Sequence, residues 1–396
     1  MDKTTGKILF VSHDASRTGA PFVLLHLLKW LKENTEVEFE VLLKNGGELE
    51  SEFEALAPTY IWYKPGNPKN LFEKILLYYN LSSLSPNSHK DKLSRLFLQK
   101  KFNVIFTNSV ASCDAINELK QRLDIPIICY LHELEISIRQ FCGLDVFKEA
   151  QKNIDLYIGS SKMVVDNLKI NHGLSDKKID LVYDYIPAKE YHEARNEYDT
   201  QELRMKIGVP DGSFVVGSCG TIDWRKGVDL IPQISRLVRQ KSDLPIYFVW
   251  IGGVQSGVDF EKFLQDVDKL NLKDKVIFID YALDYFAAID VFLLPSREDP
   301  FPLVCLQAAA FEKPVICFEL SGGIPDFVEK DCGFVVPYLD IEAAAEKIIE
   351  LAQNRELCSR LGKNAAQKAM KRHDVSIAGR QIMDIIKKVL AKSRVV

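Results

Sequence analysis

The sequence has no Cys-x-x-Cys pair among its eight cysteines, no set of histidines, cysteines and acids at metal-ligand spacing, and no apolar run long enough to span a membrane. It also lacks an excess of positive charge: 51 Lys and Arg stand against 55 Asp and Glu, a formal −4. Each absence excludes something. Cys113, Cys129, Cys142, Cys219, Cys305, Cys317, Cys332 and Cys358 are scattered and mostly sit in apolar runs. They read as buried free thiols of a reducing cytosol rather than a disulfide frame. No bound metal is expected. The start, MDKTTGKILFVSHD, holds an apolar run far too short for a signal segment and reads as a first strand, so a cytoplasmic location is expected. The charge gives no reason to expect a nucleic-acid partner. There is no low-complexity tract and no short repeat.

What is present is the composition of an ordinary globular protein, 47% hydrophobic and 27% charged, over 396 residues, too many for one core and suited to two domains. Short β-branched or aromatic runs alternate with amphipathic stretches such as PFVLLHLLKWLKEN, the pattern of parallel sheets wrapped by helices. The first half has strand candidates at 7–12, 37–43, 59–63, 104–108, 125–131, 156–160 and 178–183. The second has them at 214–218, 246–251, 275–279, 291–294, 315–318 and 333–336. A polar, charged stretch with Pro187 near its start places a linker at about 187–200. The expected fold is α/β: two tandem, Rossmann-like, doubly wound domains, 1–190 and 200–374, with a cleft between them.

In open α/β sheets ligands bind beyond the carboxyl ends of the strands, so the residues after each strand are the candidates. After the first comes SRTGAP, where Gly19 and Ala20 are small and Pro21 suits a helix start, so backbone amides can approach an anion. Taken alone, that segment reads first as a plain tight turn. After the first strand of the second half comes SCGTIDWRKGVDLI. Gly220 ends the strand, and Arg225 and Lys226 precede a helix, where the dipole prefers acids. Cations and free amides together make a diphosphate clamp, though two solvated loop charges would look the same. The pattern is neither GxGxxG nor a P-loop. Next, SREDPFPLVCLQAAAFEKPV carries Glu298 and Asp299 before Pro302, which fixes a helix start and leaves the amides of Leu303 and Val304 facing outward. The two acids suit a polar substrate and also complement a helix dipole. Gly322 and Gly323 open another Pro-started helix. His132, after IPIICYL, lies at a strand end and is weighed evenly between structural and catalytic roles. His13 ends the first strand, and the other five histidines read as structural.

Taken together these segments resemble the retaining enzymes of glycosyltransferase family four, with the GT-B fold, over almost the whole chain and most strongly from Val215 to Val336. GTIDWRKG resembles the family's diphosphate clamp, and REDPFPLVCLQ its pair of acids spaced eight apart. SGGIPDFV resembles its Gly-Gly loop, SRTGAP its first-domain glycine loop and HELEISI its histidine. The resemblance implies that Arg225 and Lys226 hold a donor diphosphate with Gly220, Thr221, Pro302 and the amides of Leu303 and Val304. It implies that Asp299, with Glu298 beside it, contacts the donor sugar near Gly322 and Gly323, and that Gln307 meets the ribose. His132 would face the transferred sugar and Gly19 the phosphates. It also implies that a last helix from about 375 to 396 crosses back onto the first domain. Three positions depart from the family: the first acid is shortened to Asp299, the second is the amide Gln307, and the usual arginine after Gly220 is Thr221.

The expected activity is metal-independent transfer of a sugar from a nucleoside diphosphate sugar, UDP or GDP type, to a glycan or lipid-linked acceptor, with retention and without a cofactor. A nucleotide-sugar-binding protein or a GT-B epimerase is the alternative, kept open by the lost second acid. Residues 69–101, with seven Lys or Arg against two acids, are a candidate for peripheral contact with an anionic membrane surface, beside the plainer reading as a surface helix pair.

Overall fold

The computed structural model describes residues 6–63 and 89–393. It divides into two compact units, one formed by residues up to Val182 together with those from Gly379, the other by Tyr183–Ala378. The first unit holds β1 (Ile8–Ser12), β2 (Phe39–Leu43), β3 (Thr59–Ile61), β4 (Val104–Asn108), β5 (Ile127–Leu131), β6 (Leu156–Gly159) and β7 (Ile179–Leu181). They pair in the order β3-β2-β1-β4-β5-β6-β7, every neighbour parallel. The second unit holds β8 (Phe214–Cys219), β9 (Ile246–Ile251), β10 (Val276–Ile279), β11 (Val291–Leu294), β12 (Val315–Phe318) and β13 (Gly333–Val336). Their order is β10-β9-β8-β11-β12-β13, again all parallel.

Central strands such as ILFVS in β1 and VFLL in β11 are buried along their whole length, as a parallel sheet with both faces covered requires. In the first unit Leu9, Val11, Ile105 and Cys129 of the sheet pack with Ile116 and Leu119 of the helix Cys113–Lys120. In the second, Val216, Phe248, Trp250 and Leu293 pack with Ile234 and Val238 of the helix Leu230–Lys241 and Ile348 of the helix Ile341–Gln353. All eight cysteines are free, and all but Cys142 are buried. Both sheets therefore run outward from a central pair, β1/β4 and β8/β11. The order of strands reverses at that pair, opening a crevice at the strand ends.

The segment expected as a linker at 187–200 is not an open connector. It folds as the helix Ala188–Ala194 and a short 3-10 turn, and belongs to the second unit. His192 Nδ1 meets the Ala310 carbonyl at 2.9 Å, and Arg195 Nη2 donates to Glu312 at 2.9 Å. The last helix, Val375–Ser393, enters the first unit at Gly379, whose Cα lies so close to Trp30 of the helix Gly19–Asn34 that a Cβ would stand 2.3 Å from the indole.

Candidate active site

In the second unit the sequence-predicted residues converge on the ends of β8, β11 and β12. The loop after β8 is set by Asp223, whose carboxylate accepts from the Lys226 backbone amide at 2.9 Å and from the Thr221 hydroxyl at 2.8 Å. Gly227 follows at φ +71°, and a Cβ there would lie 2.0 Å from the Pro295 carbonyl oxygen. Only glycine combines that left-handed backbone with that approach. The turn presses Arg225 and Lys226 against the residues after β11. Lys226 Nζ donates to Asp299 Oδ2 at 2.5 Å, and Arg225 Nη1 lies 3.7 Å from Asp299 Oδ1 while donating to the Glu298 carbonyl at 3.0 Å. The Ser296 hydroxyl donates to the same carboxylate at 3.3 Å.

Asp299 is 5% exposed, so a charge there depends on these donors. Its backbone is fixed as tightly: its amide donates to the Ser321 carbonyl at 2.7 Å, and Gly322 bridges back to it. A Cβ on Gly322 would stand 1.6 Å from the Asp299 carbonyl oxygen, and the Gly323 amide donates to the Pro300 carbonyl at 2.8 Å. The Gly-Gly pair thus buttresses the acid.

Pro302 precedes the helix Leu303–Ala310, which begins without a side-chain cap. Its first amides, those of Leu303 and Val304, therefore have no acceptor within the helix, and the helix starts four residues after Asp299, which both cations approach. Gln307, one turn on, is buried, and its Oε1 accepts from the Tyr281 hydroxyl at 3.4 Å. Tyr191, from the segment expected as a linker, also hydrogen-bonds Gln307, and burial pushes its own phenol well up. Burial likewise pushes the Cys219 thiol up to about 12 and raises the Cys305 thiol well above its ordinary value, which makes both inert packing groups here.

In the first unit, His132 and Gly19 lie at the ends of β5 and β1. Gly19 starts the helix Gly19–Asn34, which also lacks a side-chain cap, and a Cβ on it would meet nothing within 4 Å. Packing does not demand that glycine. Two residues that sequence reasoning passed over organise this corner. Asn108, the last residue of β4, bonds both the His132 ring and the Ala20 carbonyl. Glu133, 9% exposed, accepts from the backbone amides of His132 (3.0 Å) and Val110 (3.1 Å) and from the Ser109 hydroxyl. The available signal was position: both stand at strand ends beside the β1/β4 reversal.

Among the described residues no group of three or more His, Cys, Asp or Glu could hold a metal ion, and no helix is long and apolar enough to cross a membrane. Of the segment 69–101, residues 69–88 lie outside the described residues. In its helix His89–Lys100, Lys90 and Lys100 are directed onto Glu118 and Glu40, each at 2.8 Å, while Leu98 is exposed.

Known proteins share this sequence pattern and this architecture. Residues 199–368 match the family model of glycosyl transferases group 1. The capsular polysaccharide biosynthesis glycosyltransferase CapM of Staphylococcus aureus is 23% identical over 340 residues, 82% of each chain. Alpha-galactosylglucosyldiacylglycerol synthase of Streptococcus pneumoniae is 26% identical over 166 residues, 40% of this chain and 42% of its own length. The chain thus matches less than half the length of that curated relative. Among solved structures, Anabaena Alr3699/HepE in complex with UDP and glucose superposes with a TM-score of 0.79 at 20% identity, covering 96% of this chain and 99% of that one. WaaG, a glycosyltransferase involved in lipopolysaccharide biosynthesis, does so with a TM-score of 0.69 at 14% identity, covering 96% and 99%. Both share the fold of two Rossmann-like units.

Proposed function

We propose that this chain, whose residues 199–368 match glycosyl transferases group 1 and whose two units share the GT-B fold, moves a sugar from a nucleoside diphosphate sugar to an acceptor hydroxyl, retaining the anomeric configuration. The observation that carries the reading is the Lys226–Asp299 contact at 2.5 Å, set beside Arg225 and the uncapped start of the helix Leu303–Ala310. An ammonium has three donors and Asp299 uses one, so Lys226 still has donors for phosphate oxygens. Arg225 adds a fork suited to a diphosphate, and the amides of Leu303 and Val304 complete the cradle. Asp299, lined by its donors, accepts from hydroxyls of the donor sugar, and Gln307 meets the ribose.

In the reaction the bond from the anomeric carbon to the diphosphate oxygen breaks. The acceptor oxygen bonds that carbon on the same face, and the acceptor proton passes to the departing diphosphate. Stabilising the departing charge is the main catalytic contribution, and the cations supply it without a metal. HepE was solved with UDP, which favours a UDP-type donor here, and the CapM relative favours a glycan acceptor. A lipid-linked acceptor would be met at the cytoplasmic face of a membrane, with the segment 69–101 as the contact. Co-sedimentation with anionic vesicles, unchanged in a charge-reversed variant, would remove that contact.

The test is calorimetric titration with UDP, GDP and ADP without added metal, followed by NMR of the product's anomeric centre. Micromolar binding of one nucleotide and a retained configuration are expected. No binding by any of them in folded protein overturns the reading. The buried amide at Gln307 favours one rival, a nucleotide-sugar-binding protein or epimerase, and binding without transfer to any acceptor would select it.

A further inference from the structure

Cys113 and Cys142 each stand at a junction between two short elements of the first unit. Cys113 joins the 3-10 turn Val110–Ser112 to the helix Cys113–Lys120. Cys142 joins the helix Glu135–Phe141 to the helix Leu144–Ala150. These elements pack as two pairs: the 3-10 turn lies against Glu135–Phe141, and Cys113–Lys120 lies against Leu144–Ala150. The two junctions are thereby brought together. Both cysteines share one apolar cluster, Cys113 within it and Cys142 packed against it. Their thiols meet, with the Cys113 S–H donating to the Cys142 sulfur.

The pair is unequal in access. Of the eight cysteines Cys142 is the one that is not buried, whereas Cys113 has no exposed surface. Phe141 before it and Leu144 after it are exposed, and a Cβ on Gly143 would meet nothing within 4 Å, so a small oxidant can approach. The hydrogen bond from Cys113 holds the Cys142 thiol below its ordinary value against the opposing pull of burial, and Lys44 adds to the effect. The same bond, together with burial, pushes the Cys113 thiol up. The thiolate is the form of cysteine that attacks an oxidant, and an accessible thiol beside a second, resolving thiol is the arrangement of an oxidation-sensing pair. A third thiol of the cluster, Cys129 on β5, is fully buried and pushed by burial to about 12. It serves as an internal control.

We infer that Cys142 and Cys113 form a modification site for hydroperoxides, at which Cys142 takes an oxygen and Cys113 closes a disulfide. With hydrogen peroxide, the Cys142 thiolate attacks one peroxide oxygen: an S–O bond forms and the O–O bond breaks. The departing hydroxide recovers the proton that Cys142 gave up and leaves as water. The Cys113 sulfur then attacks the Cys142 sulfur, the S–S bond forms, and the S–O bond breaks. The second hydroxide leaves with the Cys113 proton. Two thiols and one peroxide thus give one disulfide and two waters, the thiols losing the two electrons that the peroxide gains. The inference stands apart from the transfer reading. To test it, the reduced full chain is treated with hydrogen peroxide, its remaining thiols are alkylated, and it is digested without reduction for mass spectrometry. A peptide pair linked through Cys113 and Cys142 is expected, with the other six cysteines alkylated and the link lost on adding dithiothreitol. Cys113→Ala removes the resolving thiol, so dimedone, which tags sulfenic acids, should label Cys142. Cys142→Ser, at the less buried position, should abolish the link even where Cys113→Ala folds poorly. An alkylated, unlinked Cys142 after peroxide overturns the inference. So does a sulfenic acid that persists there in the unmodified protein, or a link from Cys142 to Cys129 or to a second copy of the chain.

Discussion

The two units repeat one sheet order and reverse it at equivalent places, yet they fill the two reversals with opposite chemistry. At β8/β11 the crevice holds fixed charge: Lys226 on Asp299 at 2.5 Å, with Arg225 3.7 Å away. At β1/β4 the crevice holds a neutral amide between a carbonyl and an imidazole, at 2.7 and 2.8 Å. The one acid named there, Glu133, is already supplied with three donors from its own neighbourhood. One topology thus serves two purposes. The charged crevice is the one proposed above to meet a diphosphate; the other is built from hydrogen-bonding groups around Asn108. Fold position marks where a ligand can bind in each unit, and the side chains at the strand ends set the chemistry it meets there.

The largest break in that contrast should come from Lys226→Ala. Turnover is expected to fall by about 10²–10³, the usual loss for one donor to a developing negative charge. The sequence alone left room for a solvated loop charge. The structure makes Lys226 the partner of a buried carboxylate, so stability should fall too, by up to about 3–5 kcal/mol before Arg225 offsets part of it. Comparing Lys226→Ala with Lys226→Ala/Asp299→Asn by denaturant melts separates the effects. The double variant should regain most of the stability and none of the turnover. Near-normal turnover in the single variant would remove the diphosphate role.

Next in size is Gly227→Ala, which tests the turn rather than the charge. The new Cβ would stand 2.0 Å from the Pro295 carbonyl on a left-handed backbone, and a loss of about 3 kcal/mol is expected. Gly19→Ala in the first unit, where a Cβ meets nothing within 4 Å, should leave stability nearly unchanged. An equal loss at both glycines would erase the distinction between a glycine that packing requires and one that it does not.

Acid should separate the units more mildly. His373, packed among Phe301, Tyr183 and Phe327, is held by burial near a pKa of about 4, below its ordinary 6.5. The unfolded chain therefore takes up a proton as pH falls below 6.5 while the folded one does not. Stability from this group is fully present above 6.5 and declines toward pH 4, by about 2 kcal/mol at pH 5. His26 in the first unit, held near 3 by burial and by Lys29, keeps losing below pH 4, where His373 has levelled off. Melts of His373→Phe against the unmodified protein between pH 7 and 5 should show the variant with the shallower slope. Parallel slopes would mean the ring is charged in the folded state.

The sheets were legible because each strand is a compact apolar run bounded by turn residues. All thirteen candidates coincide with observed strands to within a few residues. The second-unit crevice was legible for a related reason: Gly220, Lys226, Gly227, Asp299, Gly322 and Gly323 belong to short local patterns whose backbone demands show in the residue types. Asn108 and Glu133 were not, because their partners lie 88 residues away at Ala20 and 23 away at Val110, and an asparagine or glutamate at a strand end looks like any other polar residue. The stretch at 187–200 misled for want of length: a seven-residue helix with exposed charges shows too little periodicity to be told from a connector. Tyr191 hides within it.

The smallest expected effect is the one that best sharpens the contrast, Gln307→Glu. Gln307 is buried and its oxygen already accepts from Tyr281 at 3.4 Å, with Tyr191 also bonded to the amide. A carboxylate would keep the bond from Tyr281, and the Tyr191 hydroxyl, now facing an acceptor, would turn to donate, so the substitution should fold. It would add charge where a ribose hydroxyl is expected, and a charge-assisted bond is roughly twice as strong as a neutral one. UDP should bind about tenfold tighter, about 1.4 kcal/mol. The gain should shrink for 2′-deoxy-UDP, which lacks one of the hydroxyls, and should vanish for inorganic pyrophosphate, which lacks the ribose. Equal gains for UDP and pyrophosphate would mean that the new charge acts on Lys226 and Arg225 from a distance. No gain for any of the three would place the ribose away from Gln307, leaving the phenol–amide cluster as the wall that closes the crevice on that side.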